Sequence, residues 1–363
     1  MSDQQPAVLL PTPSASRRGG TLPSRRWWQR LSLGRYTGVI VALLLVAIYL
    51  SITQSAFLTW DNLMNIVRAN TIIFLLAIGA TFVVISGGID LSAASATTAT
   101  AMIFGLSLKS GWSVIPAVVV ALAFGTAIGL VNGILIAKAK ISFLVVTLGA
   151  LSVWASFALV INDGQTASVF SAEGFGPIKS FVNNDIGPLP VLLVFDALVV
   201  LLAGGVLRYT AFGRALFATG SNQEAARLNG INIAAILIGV YAIAGLAAGL
   251  ASIVQVGRLT AAAANADPTL LLTVLAAVLI GGTSFTGGEG GMLGTVIGVV
   301  FLGVVQNGLT LSSVSAFWQG TVSGTILILA VGLGVLRDRG YDLRQRRVAL
   351  VTTTPGTASP VQE

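Results

Sequence analysis

The sequence predicts an all-α polytopic membrane protein with about ten transmembrane helices and both termini in the cytoplasm. Three observations carry this. The chain of 363 residues is 55% apolar and only 9% charged, with a mean hydropathy of +0.90, whereas soluble domains carry roughly 25% charged residues. Ten stretches approach the length of about 20 apolar residues that crosses a hydrocarbon core. When they are threaded back and forth, 16 of the 20 basic residues fall on one side, the asymmetry that orients membrane proteins.

Residues 1–37 are rich in Pro, Ser and Arg, lack an apolar run and read as a disordered, basic cytoplasmic tail. A cleavable signal peptide is not expected, since the first apolar run begins at Gly38 and no small-x-small site ends it. Trp27 and Trp28 stand where headgroups precede a first span. The expected spans are 38–57, 70–87, 91–108, 112–137, 141–162, 189–207, 233–256, 269–285, 291–311 and 316–336. Two of them, 91–108 and 269–285, are short or rich in Gly, Ser and Thr and suit broken or re-entrant segments. This threading places the tail arginines, Lys138, Lys140, Arg208, Arg214, Arg227 and the arginines after 336 inside. Arg68, Lys109, Lys179 and Arg258 fall outside. The longest outer loop, 163–188, carries Phe170, Phe175 and Phe181 and reads equally as a solvated loop or a docking surface for an external partner. A membrane domain over 38–337 and a second cytoplasmic tail over 338–363 complete the division. Asn132-Gly133 and Asn307-Gly308 recur five spans apart. Because five is odd, such a five-plus-five repeat would be inverted in the membrane.

Composition also excludes chemistry. The chain has no Cys and no His, which removes thiolate nucleophiles, imidazole bases and the usual zinc ligands. None of its lysines stands in a phosphate-binding Gly-x-x-x-x-Gly-Lys-Ser/Thr loop. No cofactor is therefore expected on this chain, and any ATP hydrolysis belongs to another one. The net charge of +7 needs no nucleic-acid partner, because the basic residues sit at span ends and in tails, where lipid orientation explains them.

The segment 208–233 separates two apolar spans and concentrates charge in a chain with little of it. Within it, Ser221-Asn222 starts a helix, Gln223-Glu-Ala-Ala-Arg-Leu228 continues it and Asn229-Gly230 stops it. A capped helix between spans looks made to be gripped from outside the bilayer. Ser86-Gly-Gly-Ile-Asp-Leu-Ser92 lets the backbone turn, with Asp90 and Ser92 serving either as a cap on the next span or in a pathway or gate. The run 280–291 holds six glycines and Glu289 without a following Lys, so it reads as a tight turn at the inner mouth or against a cytoplasmic partner. Gly125, Gly129 and Gly133 form a stripe for close helix packing. Asp196 stands nearly alone as a carboxylate within the spans. The candidate pathway or gate residues are Ser86, Asp90, Ser92, Asn132, Thr147 and Asn307. Neutral donors and acceptors of this kind suit an uncharged polyhydroxyl solute.

Taken together, Ser86–Ser92, Asn132-Gly133, Ser142-Phe-Leu-Val-Val-Thr-Leu-Gly149, the loop 213–231 and the turn 281–294 closely resemble the permease subunits of ribose-type ABC sugar importers. The similarity runs in order from about residue 38 to 337. It departs at Ala93-Ala-Ser95, where Val-Gly-Ser is expected, and in the long basic N-terminal tail. The resemblance implies an inner-membrane permease, paired with a second copy or close paralogue. It would work with cytoplasmic ATPase subunits and a periplasmic sugar-binding protein that delivers a ribose- or xylose-like monosaccharide. It further implies that Glu224, Ala225, Ala226, Arg227 and Gly230 form the ATPase-coupling helix, with Gly213 and Arg214 setting its lead-in. An ion-coupled secondary transporter is the alternative from another class, and a permease for branched-chain amino acids is the nearest alternative within this one. A membrane enzyme is disfavoured by the absence of any nucleophile–base pair.

Overall fold

A computed structural model of the protein describes residues 36–315, 318–329 and 332; the arginine-rich first tail, residues 1–35, and the second tail, 338–363, lie outside the described residues. Helices occupy all ten apolar stretches: α1 (Thr37–Thr53), α2 (Trp60–Ile85), α3 (Ala93–Lys109), α4 (Val114–Ala137), α5 (Phe143–Val160), α7 (Val191–Tyr209), α10 (Ile233–Leu259), α11 (Pro268–Ile280), α12 (Met292–Leu311) and α13 (318–329). Three further helices lie between α5 and α10: α6 (Gly176–Asn183), α8 (Ala211–Ser221) and α9 (Gln223–Leu228). Among the described residues, six helices (α2, α4, α5, α7, α10 and α12) are long and apolar enough to cross a membrane, and α1 and α11 are shorter apolar helices.

Capping explains where several of them begin. Thr59 accepts from the Asn62 amide and Asp61 lies in the first turn, so α2 starts ten residues before its apolar core. Asn232 accepts from the Ala235 amide to open α10, and Asp267 accepts from the Thr269 amide with Pro268 in the first turn of α11. At 13 residues and 1.5 Å per residue, α11 is about 20 Å long, short of the roughly 30 Å hydrocarbon core. The run 281–291 that follows is irregular, with Gly281, Thr283 and Gly287 buried and Phe285, Thr286 and Glu289 exposed.

Two helices organise the bundle. α10 packs on α4, α2 and α3, while α2 packs on α12, α11 and α7; α3 also pairs with α4, and α11 with α12. The α4–α10 contact is the most extensive, and the glycine stripe lets the two backbones come close. A Cβ on Gly125 would lie 2.6 Å from the Gly245 carbonyl oxygen, and one on Gly129 would lie 2.0 Å from that of Tyr241. The stripe is thus a packing surface. Gly129→Ala is expected to lower stability by about 1–3 kcal/mol through overpacking, read as a fall in the thermal midpoint of detergent-solubilised protein; an unchanged midpoint would show that the two backbones are free to part.

The bundle has two distinguishable ends. At one, the Arg68 guanidinium pairs with Asp185, Arg258 Nη1 donates to the Ala69 carbonyl at 3.0 Å, and Lys179 lies 5.3 Å from the Phe170 ring centre. Two small antiparallel pairs form there, β1 (Ala167–Ser168) with β4 (Ala261–Ala262) and β2 (Asp185–Ile186) with β3 (Leu189–Pro190). α6 covers α10 by laying Ile178 and Val182 on Gly257. Arg68, Lys109, Lys179 and Arg258 belong to this end. Lys138, Lys140, Arg208, Arg214 and Arg227 belong to the other, so the structure sorts the described basic residues as the threading does.

Candidate functional site

At the second end, three segments far apart in sequence meet. Ser86 closes α2 and donates its hydroxyl to the Val83 carbonyl at 2.7 Å, and Gly87 turns the chain with φ +82°. Gly220 lies in the last turn of α8. The run 281–291 lies against both: the Gly288 amide donates to the Ile85 carbonyl at 2.9 Å. A Cβ on Gly220 would sit 1.9 Å from that same carbonyl oxygen and 2.6 Å from the Gly288 nitrogen. Both glycine-rich turns and the charged segment 208–233 therefore share one backbone junction.

α9 projects from this junction. Asn222 caps it by accepting from the Ala225 amide at 2.9 Å. At its far end the Gly230 amide donates to the Arg227 carbonyl and the Ile231 amide to the Ala226 carbonyl, the paired closure that a left-handed Gly permits, here φ +80°. Glu224 and Arg227 form an exposed ion pair at 2.7 Å. Ala226 alone of the six helical residues is buried, at 3% exposure; Leu228 is 78% exposed. Of the residues expected at the coupling contact, Glu224, Ala225, Arg227 and Gly230 face outward and Ala226 anchors the helix to the bundle.

The lead-in is more structured than the sequence suggested. Gly213 and Arg214 belong to α8, a helix of 11 residues opened by Thr210, whose side chain accepts from the Gly213 amide at 3.1 Å. The two glycines in this stretch hide the signal. Its apolar face, Phe212, Leu216 and the half-buried Ala215 at helical spacing, was the sequence cue, and Leu216 is fully buried. Gly213 is buried against the Leu207 carbonyl, while Arg214 is exposed. Exposed Leu228 and Tyr209 (75%) add apolar surface to this face that charge-based reading passed over.

The expected pathway residues divide. Asp90 accepts from both the amide and the hydroxyl of Ser92, at 2.9 and 2.6 Å, and Asn132 Nδ2 donates to the same hydroxyl at 3.0 Å. Ser86, Asp90, Ser92 and Asn132 are all buried, so α2, α3 and α4 are tied together at the junction end. Thr147 is also buried, but its hydroxyl turns to the Phe143 carbonyl of its own helix. Asn307 is elsewhere. It exchanges two hydrogen bonds with Asn62, at 3.0 and 2.8 Å, and Asn62 lies 24 residues before Ser86 on the chain of α2, about 36 Å away. Asn307 therefore stands at the opposite end from the Asp90 cluster.

The comparisons with known proteins decide the family. Residues 62–331 match the family model described as "Branched-chain amino acid transport system / permease component". The ribose import permease protein RbsC of Escherichia coli (strain K12) is 34% identical over 313 residues, covering 86% of this chain and 97% of that one. The chain belongs to the ribose-type ABC permease family. RbsC of Bacillus subtilis (strain 168) is 34% identical over 299 residues, 81% of this chain and 91% of its own. The L-arabinose ABC transporter permease protein AraH of Azospirillum brasilense is 32% identical over 350 residues, 94% of this chain and 97% of its own. No solved structure matches the chain. As a member of this family, the protein is a transporter subunit spanning the membrane several times.

Proposed function

We propose that the protein is the membrane permease of a monosaccharide importer, passing a ribose- or xylose-like sugar delivered by a periplasmic binding protein and driven by ATPase subunits on the cytoplasmic side. One observation carries the coupling part of this reading: a twice-capped helix, α9, projects an ion pair and Leu228 from a junction that touches both α2 and the run before α12. A push on α9 reaches two groups of helices through backbone rather than through flexible side chains, as a rigid-body device requires.

The family implies the rest of the arrangement. The chain lies in the inner membrane, with ten spans and both ends cytoplasmic, which puts the junction end inside. It works with a second permease copy or close paralogue. An inverted five-plus-five repeat has two supports. The α10 pairings with α4 and α3 mirror those of α2 with α12 and α11. Asp90 holding the Ser92 amide and hydroxyl is mirrored by Asp267 holding the Thr269 amide and hydroxyl, at 2.8 and 2.7 Å, just before α11. The Asp90–Ser92–Asn132 cluster is the inner gate in this reading. The sugar itself is selected largely by the binding protein.

Vesicles containing the reconstituted complex are expected to take up sugar only when ATP and a binding protein are both supplied. Uptake driven by an ion gradient alone would instead establish the ion-coupled alternative, and uptake of leucine in preference to pentose would establish the branched-chain one.

A further inference from the structure

The run 281–291 folds back on itself at the junction end. The Ser284 amide donates to the Glu289 carbonyl at 3.0 Å, the Gly287 amide donates to the Ser284 carbonyl at 3.1 Å, and the Ser284 and Thr286 hydroxyls lie 2.8 Å apart. At the tip stands Phe285, 53% exposed, with Thr286 and Glu289 exposed beside it. The base of this turn is braced. Besides the Gly288 bond to the Ile85 carbonyl, a Cβ on Gly288 would lie 2.8 Å from the Ser221 nitrogen, and one on Gly287 would lie 2.8 Å from the Gly87 nitrogen. Ser221 ends α8 and directly precedes Asn222, the cap of α9. Phe285 is three residues from Gly288, at most about 10 Å along the chain, and so lies close to the start of α9.

We infer that Phe285 is a second anchor for the ATPase subunit, entering an apolar pocket of that partner while α9 makes the charged contact. The inference rests on the coupling reading of α9, and size leads from one to the other. Five of the six residues of α9 are exposed, whereas a specific interface takes about 20–30 residues a side. More of the junction end must therefore be covered, and the turn is the segment braced against the start of α9. Its make-up fits the task. An exposed aromatic ring bordered by Ser284, Thr286 and Glu289 has the form of an interface anchor with a polar rim. The same border sets it apart from a phenylalanine facing lipid, because exposed Thr and Glu are costly in hydrocarbon. The braced backbone also leaves little to order on binding. From the turn the chain runs through Gly291 straight into α12. A partner that holds Phe285 and α9 together thus acts on α12 directly, as well as on α10, which follows α9.

The chain has no cysteine, so Phe285→Cys provides a single attachment point for a benzophenone maleimide in the full complex, reconstituted in phosphatidylethanolamine vesicles. Illumination is expected to join the permease to the ATPase subunit. Adducts with phospholipid alone, or with a second permease copy alone, would overturn the anchor. In titrations of purified ATPase subunit onto solubilised permease, Phe285→Ala should weaken binding about tenfold. The thermal midpoint of the permease by itself should not move, because the ring is exposed. Binding by Phe285→Ala within about twofold of wild type would likewise overturn the anchor. Glu224→Arg, titrated alongside, keeps the two readings apart. Loss of binding by Glu224→Arg with wild-type binding by Phe285→Ala strikes only the Phe285 anchor, whereas wild-type binding by Glu224→Arg strikes the α9 contact on which it rests.

Discussion

Glu224→Arg is expected to leave the protein inserted in the membrane and to abolish both ATPase association and uptake. The reasoning starts from exposure. Glu224 and Arg227 are 64% and 68% exposed in their side chains, so their pairing contributes only about 0.2–0.5 kcal/mol to α9. Reversing one charge places two arginines three residues apart on one face, a repulsion of similar small size. The Asn222 cap and the Gly230 closure keep the helix in place. A large functional loss at such small structural cost can arise only at a contact with another molecule. Co-purification of the ATPase with tagged permease measures the first effect, and vesicle uptake the second. Wild-type uptake by this variant would remove α9 from the coupling role.

The second large effect is expected at Gly220. Gly220→Val would drive its side chain into the Ile85 carbonyl, which already accepts from the Gly288 amide. All of the nearest atoms are backbone, so nothing can swing aside. Overpacking of this kind costs about 1–3 kcal/mol, and here the strain is relieved by parting α8 from the α2 turn and from 281–291. The outer face of α9 is untouched. The variant is therefore expected to retain the ATPase while uptake falls by at least about tenfold, and ATP hydrolysis should no longer rise when the loaded binding protein is added. Gly205→Ala serves as the control, because a Cβ there meets open space. Uptake by Gly220→Val matching that of the control would mean that force crosses from α9 by another route.

Much of this architecture was legible because it is written locally. Apolar length is read directly from sequence, so each of the ten expected stretches holds a helix, six of them long and apolar enough to cross a membrane among the described residues, although α2 begins at Trp60 rather than at 70. Its first turns carry Asp61, Asn62, Asn65, Arg68 and Asn70, which lower hydropathy without weakening the helix. The cap and stop of α9 were readable because Asn222 and Gly230 act on backbone groups within a few residues of themselves. α8 was missed because Gly213 and Gly220 weigh against helix by propensity, and burial of Leu216 outweighs them. Among the pathway candidates, Ser86, Asp90, Ser92 and Asn132 gather at one end, whereas Asn307 pairs with Asn62 at the other; like Asn-Gly pairs in sequence do not say which helices will meet.

By itself, then, the sequence determined the membrane class, the capped form of α9 and the family motifs. Each depends on residues within about twenty positions of one another, or on composition. Only the tertiary structure decided that the α2 turn, the end of α8 and the run 281–291 share one junction, and that buried Asp196 accepts from Thr71 across α2 and α7. Those facts depend on how closely helices approach and rotate about their axes. A glycine in sequence says that a backbone can come near; which backbone comes is settled by the packing of the whole bundle.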